Sequence, residues 1–368
     1  MNDKTKYNKI ILMFFIIIVM SIGVSATDYY FANSGDDTTG DGSIGNPYKT
    51  ITKLNTLSLV AGDTVYFNRG DTWRFTSDAF LDMRSGDSTG RITYKDYGTG
   101  SKPLFLGSFN YSETANWTRT GGVGNIWNSS VTIDNYIGNI IFNNENSFAN
   151  YTNSYAQLNK QDNFYYDATE DILSLYSVGN PATIYTSIEM AYYKDMINTL
   201  RNKSINIYNL SLKYGGRSAI TVYGSTNITI DSVDISYIGG GGSTPLGNGV
   251  SMEATTRDII VKNCNISNVY DAGITAQGYT TAKNISNQVY EYNIIDKCGY
   301  GFEFFSSISI SNISNFIVNH NTIIDSGRGW SDNRTDYGRA FRLAKTNVSY
   351  NFSITNNIIY NSNEREFF

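Results

Sequence analysis

The residues best equipped for chemistry in this chain are Glu253, Glu303, Arg342, Arg339, Gln277, Tyr223 and Tyr300, because five short runs bring them onto one strip. The runs are 219–223 (AITVY), 249–253 (GVSME), 273–277 (GITAQ), 301–305 (GFEFF) and 340–344 (AFRLA). Each alternates apolar and other residues with period two, the pattern of a half-buried strand. Alternation sends Ile220, Val222, Val250, Met252, Ile274, Phe302, Phe304, Phe341 and Leu343 to one side. Aligned on those positions, one outward column reads Thr221, Ser251, Thr275, Glu303, Arg342, and the next reads Tyr223, Glu253, Gln277, Phe305, Ala344. A flanking row is Ser218, Asn248, Ala272, Tyr300, Arg339.

Such a strip suits a sugar chain. Aromatic faces stack on sugar rings, and charged forks hold hydroxyls or uronate carboxylates. Arg339, Tyr300, Gln277 and Tyr223 are the candidate substrate-binding residues, and Arg342, Glu303 and Glu253 the candidate catalytic ones. In a hydrolase, Glu253 and Glu303 would lie two rungs apart. That is about 10 Å, just beyond the roughly 6.5–9.5 Å of inverting carboxylate pairs. The plain alternative is that Glu303 and Arg342, one rung apart, form an exposed ion pair worth about 0–1 kcal/mol.

Other chemistries are short of residues. One histidine and two cysteines make a Ser/His/Asp triad, a His-rich zinc site or a Cys₄ site improbable. The glycines 239–242 precede no helical pattern and read as a turn rather than a phosphate cradle. Residues 37–42 (DTTGDG) have a hint of a calcium loop but lack the terminal bidentate acid.

The elements that must position the strip come from a repeat. Residues 207–212 (IYNLSL), 230–235 (IDSVDI), 261–266 (VKNCNI), 290–295 (YEYNII), 318–323 (VNHNTI) and 354–359 (ITNNII) begin 23, 31, 29, 28 and 36 positions apart. A period of this size means a solenoid, and the lack of helical periodicity excludes helical repeats. Stacked coils pair each strand in parallel with its copy about 4.8 Å away. One column then reads Asn209, Ser232, Asn263, Tyr292, His320, Asn356, expected to be an interior hydrogen-bonding ladder. On that reading His320 is structural, and Asn209 cannot carry a glycan although it heads a sequon. Cys264 and Cys298 fall at different points of neighbouring coils and are expected to stay unbonded.

This pattern resembles the right-handed parallel β-helix superfamily, the pectate-lyase-like group. Residues 29–37 (YYFANSGDD), 45–51 (GNPYKTI) and 61–65 (AGDTV) look like the opening of many exported members. Pro47 suits a first helical position, and Ile51, Leu54 and Leu57 give one short apolar face to cover the open end of the solenoid. The expected fold is therefore all-β: a single-stranded right-handed parallel β-helix with an N-terminal capping helix and a β-rich insertion. The expected divisions are a leader over 1–26, cap and first coils over 27–107, the insertion over 108–186 and repeated coils over 187–368. Within the insertion, 163–167 and 172–176 read as a hairpin. The last repeat is followed by only a few residues, so its end is expected to be covered by a partner or by chain beyond a truncated reading frame. The resemblance also implies a lyase alternative, in which an Arg or Lys base, often with calcium, removes a proton next to a uronate carboxylate. Arg342, Arg339 or Lys345 would serve, although no acidic calcium cluster is evident beside them.

Lys4, Lys6 and Lys9, an apolar run from Ile10 to Met20 and Val24-Ser25-Ala26 form an export leader, giving a mature start at Thr27. Left uncleaved, the same segment is a membrane anchor. Charged residues at 17% and a net charge of −5 argue against nucleic acid, and no later span argues for the membrane. The expected partner is an extracellular polysaccharide, bound and cleaved by elimination or hydrolysis at a secreted or cell-surface protein. The rival is a non-catalytic adhesion protein or structural spacer. Nothing in the sequence points to a particular oligomer.

Overall fold

Three short strands and three corners make each coil, because β-branched and aromatic residues alternate over short runs and are then interrupted. The computed structural model describes residues 25–75, 81–122, 124–240, 247–278, 284–306, 312–328, 338–344 and 347–364. The charged and apolar parts of the leader, and Lys345, lie outside the described residues. Strands stack into three parallel sheets of nine, eight and seven members. The nine-stranded sheet runs from Asp28–Phe31 and Thr64–Asn68 through to Asn347–Thr355. The eight-stranded sheet runs from Thr72–Arg74 to Ile358–Tyr360, and the seven-stranded sheet from Leu81–Asp82 to Phe341–Ala344. The chain forms the expected right-handed parallel β-helix. Repeat starts are in register throughout: Ile207 with Ile230, Ile230 with Val261, Val261 with Tyr290, Tyr290 with Val318 and Val318 with Ile354. Among the described residues no helix is long and apolar enough to cross a membrane.

The interior ladder is displaced by one residue from its expected place. Asn209, Ser232, Asn263, Tyr292, His320 and Asn356 all have φ between 53° and 60°, the left-handed conformation that asparagine tolerates best. They are the corner between the nine- and eight-stranded sheets, and a left-handed corner turns its own side chain outward and the next one inward. Tyr292 is accordingly 53% exposed and stacks on His320 at 5.1 Å. The inward column is Leu210, Val233, Cys264, Asn293, Asn321 and Asn357, of which Asn293 and Asn321 are only 1% exposed. Asn293 Nδ2 donates to Asn321 Oδ1, and Asn321 Nδ2 to Asn357 Oδ1, each at 2.9 Å. Asn321 also donates to the Tyr290 carbonyl and accepts from the Asn293 amide. Asn321→Ala should therefore cost about 1–3 kcal/mol in urea unfolding, since it strands buried backbone groups. His320→Asn, which keeps a residue suited to the corner, should stay within about 1 kcal/mol of the parent. Equal losses would return the ladder to the corner column.

The capping helix is Ile51–Thr56, with Ile51 and Leu54 buried against the first coil. Thr50 is its N-cap, accepting from the Lys53 amide at 3.1 Å, so Pro47 stands ahead of the helix rather than in its first turn. Asp37 accepts from the Lys49 and Thr50 amides, and Asp41 from that of Ser43. The calcium hint thus resolves into carboxylates that tie down backbone. Cys264 and Cys298 are free, and burial pushes both thiols up to about 12.

Between Leu104–Leu106 and Ile197–Asn198 one corner of the third coil is replaced by two mostly antiparallel sheets of four and five strands. They include the hairpin Asn163–Asp167 with Ile172–Tyr176, and they enclose their own core around Phe142, Phe164, Leu173 and Met190. Arg74 grips Glu189 through two bonds of 2.6 and 3.0 Å, and Glu145 accepts from Lys213 and Tyr214 at 2.7 Å each. The insertion is thereby held against the first rungs of the eight-stranded sheet, and its exit segment delivers Lys194 and Asp195 to the start of the seven-stranded sheet.

Candidate functional site

The outward columns of the seven-stranded sheet pair in the expected register. Thr221, Ser251, Thr275, Glu303 and Arg342 are successive partners, as are Tyr223, Glu253, Gln277, Phe305 and Ala344. Ile220, Val222, Val250, Met252, Ile274, Phe302, Phe304 and Phe341 fill the core beneath them. Burial then divides the strip into two unlike clusters.

The cluster around Glu303 is closed. Glu303 is 2% exposed and accepts from Thr275 Oγ1 at 3.1 Å, Gln277 Nε2 at 2.6 Å and Arg342 Nη1 at 2.6 Å. Its four lone-pair sites are largely spent on these donors. Tyr300 is fully buried and lies 4.9 Å beneath the Arg342 guanidinium, which also covers Phe305 at 5.5 Å. Gln277 and Tyr300 are thus supports for an ion pair, not open surfaces for a sugar. Burial alone would lower the Arg342 pKa, but Glu303, Tyr300 and Asp271 raise it above the usual arginine value. A lyase base must give up a proton, so this shift runs the wrong way for the expected role. Arg339 leaves the strip to pair with Glu364 at 3.1 Å.

The cluster around Glu253 is open. Glu253 and Tyr223 line a cavity of about 230 Å³ with Asp195, Asn198, Leu200, Arg217 and Thr221. A second hollow of about 470 Å³ shares Asp195, Asn198 and Arg217 and extends to Asn55, Leu81, Asp82 and Lys194. The Asp195 side chain is 5% exposed, and its Oδ2 accepts from Arg217 Nη1 at 3.1 Å and Asn198 Nδ2 at 3.3 Å. Its Oδ1 is buried, and the Thr221 hydroxyl and the Ser218 amide lie close enough to ease the carboxylate. Burial raises the Asp195 carboxyl above the ordinary range, and Arg217 offsets part of the rise. Burial likewise raises Glu253, opposed by Arg217, reinforced by Asp195 and eased by the Ser251 hydroxyl at 3.0 Å.

The acid facing Glu253 is therefore Asp195, not Glu303 as the sequence suggested. Glu303 sits one column over and two rungs on, turned toward Arg342. Asp195 and Arg217 escaped the sequence reading because both precede the alternating runs, at corners where the coil has no period. The available signal was the charged pair Lys194-Asp195 where an apolar stretch rejoins the repeat. Among the described residues no three His, Cys, Asp or Glu side chains converge.

No family model and no curated protein matches the sequence. Solved structures do match. A glycoside hydrolase is similar over 91% of this chain and 96% of its own, at 10% identity and a TM-score of 0.52. A complex of XylC with xylose is similar over 81% and 68%, at 13% identity and a TM-score of 0.49. The pectate lyase Pel9A is similar over 91% and 80%, at 12% identity and a TM-score of 0.41. At these identities the likeness is one of fold, a parallel β-helix.

Proposed function

We propose that this protein works outside the cell and hydrolyses a glycosidic bond of a polysaccharide laid along the outer face of the seven-stranded sheet. The observation that carries the reading is the pair of carboxyls, Asp195 and Glu253, both raised by burial and sharing Arg217 at one cavity. Two acids whose surroundings differ are what glycoside hydrolysis needs. Among the described residues Glu253 has no ion-pair partner of its own, and it is the proton donor: its proton goes to the glycosidic oxygen as the carbon–oxygen bond breaks. Asp195, oriented by Arg217 and Asn198, takes a proton from the water whose oxygen joins the anomeric carbon. Tyr223, half-exposed at the cavity, offers a ring face to the sugar. The basic and apolar N-terminal run, expected to be a leader, supports export, and the fold shared with a glycoside hydrolase is compatible with this chemistry without fixing it.

The test is the product. Incubation of the purified chain with a polysaccharide panel should release new reducing ends with no ultraviolet absorbance from unsaturated sugars. Unsaturated products would replace hydrolysis with elimination. Binding without products would make the protein a carbohydrate-binding module, and neither would leave a structural spacer.

A further inference from the structure

We infer a second glycan site on the outer face of the nine-stranded sheet, one that takes a single carboxylate-bearing sugar unit of an acidic polysaccharide. It is independent of the hydrolase reading, since it lies on another sheet and shares no residue with the cavity of Asp195 and Glu253. A hollow of about 200 Å³ opens there, lined by Lys95, Tyr208, Asn209, Asp231 and Ser232. Tyr94 and Ile207 are fully buried register partners, so the next residues, Lys95 and Tyr208, face outward one rung apart. Tyr208 pairs in turn with Asp231. Asn209 is the left-handed corner, with φ 54°, whose side chain turns away from the core.

Three of these groups are unspent. Among the described residues the Lys95 ammonium has no carboxylate within ion-pair reach, and only the Tyr66 ring lies by it, at 5.6 Å. The Tyr208 hydroxyl and the Asn209 amide likewise meet no hydrogen-bond partner among them. Asp231, by contrast, is satisfied: it accepts from Ser232 at 2.8 Å and Asn263 at 2.9 Å, with Lys262 at 3.7 Å. The charges around the hollow are Lys95, Arg91, Lys102 and Lys262 against Asp231, Asp234 and Glu291. Lys102 holds Asp234 at 2.8 Å, and Glu291 is the register partner of Lys262. Arg91 spends its guanidinium on neutral oxygens of Ile205, Asn206, Asn227 and Thr229. Positive charge is in excess, and Lys95 is the cation open to a carboxylate. The phenol and the amide are placed to meet ring hydroxyls beside it. Pockets for larger ligands begin at roughly 300 Å³, so the hollow suits one sugar ring.

The experiment is affinity electrophoresis of the full chain through polygalacturonate and through its carboxyl-reduced form, at low and high salt. The parent is compared with Lys95→Met, Asn209→Asp and Glu253→Gln. Polygalacturonate should retard the parent more than the reduced polymer does, with salt narrowing the gap. Lys95→Met should lose at least tenfold in affinity for it. Asn209→Asp keeps a residue suited to the left-handed corner and sets a negative charge against the ligand, so it should lose as much. Glu253→Gln should be retarded like the parent. Free galacturonate should release the parent, and galactose or sulfate at the same concentration should not. Undiminished retardation of Lys95→Met and Asn209→Asp would overturn the inference, as would equal retardation of the parent by the reduced polymer or release by sulfate as readily as by galacturonate. Loss of retardation in Glu253→Gln alone would also overturn it and assign the acidic glycan to the cavity of Asp195 and Glu253. Retention of the site with no new reducing ends from any polysaccharide would remove the hydrolase reading and leave this one standing.

Discussion

Arg342→Ala should destabilise the fold by about 3–5 kcal/mol, the loss expected when one partner of a buried ion pair is removed. Glu303 is 2% exposed, so its charge in the variant would rest on the Thr275 and Gln277 donors alone. The cation also roofs Tyr300 and Phe305, and truncation would uncover both rings. The double variant Glu303→Leu with Arg342→Leu should recover most of the loss, since apolar replacement of a buried pair is often close to neutral. Urea unfolding of the parent, the single and the double variant measures all of this. A single variant within about 1 kcal/mol of the parent would make the pair an ordinary surface contact, as the sequence alone suggested.

That contrast shows which layer of the structure sequence spacing reaches. Period-two alternation is a backbone property, so the core positions Val250, Ile274, Phe302 and Phe341 and the outward columns between them could be read one rung at a time. The repeat starts could be read the same way. What alternation cannot tell is whether an outward residue meets solvent. Glu303 faces away from the core as expected and is nevertheless enclosed by its own column, because Thr275, Gln277 and Arg342 all lean toward it. Corners were the other blind spot. A left-handed residue inverts the in–out sense for one step, which moved the asparagine ladder from His320 to Asn321 and set the His320 ring on Tyr292. The Asp195–Arg217 pair lies at corners too, beside an insertion whose own fold carries no solenoid period. Two residues central to the site therefore had no repeat to mark them.

Glu253→Gln should lower the rate of reducing-end release by a factor of about 10²–10⁴, the usual contribution of a positioned general acid. The amide keeps the shape of the side chain and can still meet the Ser251 hydroxyl, but it has no proton to give. Burial holds the Glu253 carboxyl above its ordinary range, which keeps more of it protonated and available to a leaving oxygen. The parent rate should accordingly fall as pH rises through that raised value, and the variant should lose this alkaline limb along with the rate. Among the described residues Glu253 is not paired to a buried cation of its own, so the unfolding midpoint should move little, which separates lost chemistry from lost fold. Asp195→Asn offers no such separation, because it would leave Arg217 without its partner. The most direct measurement is thus initial reducing-end release by parent and Glu253→Gln on the same polysaccharide across a range of pH. The account predicts a loss of at least a hundredfold with the alkaline limb gone and the fold intact. A variant that retains the parent's rate and pH profile would show that Asp195 and Glu253 are not the catalytic pair.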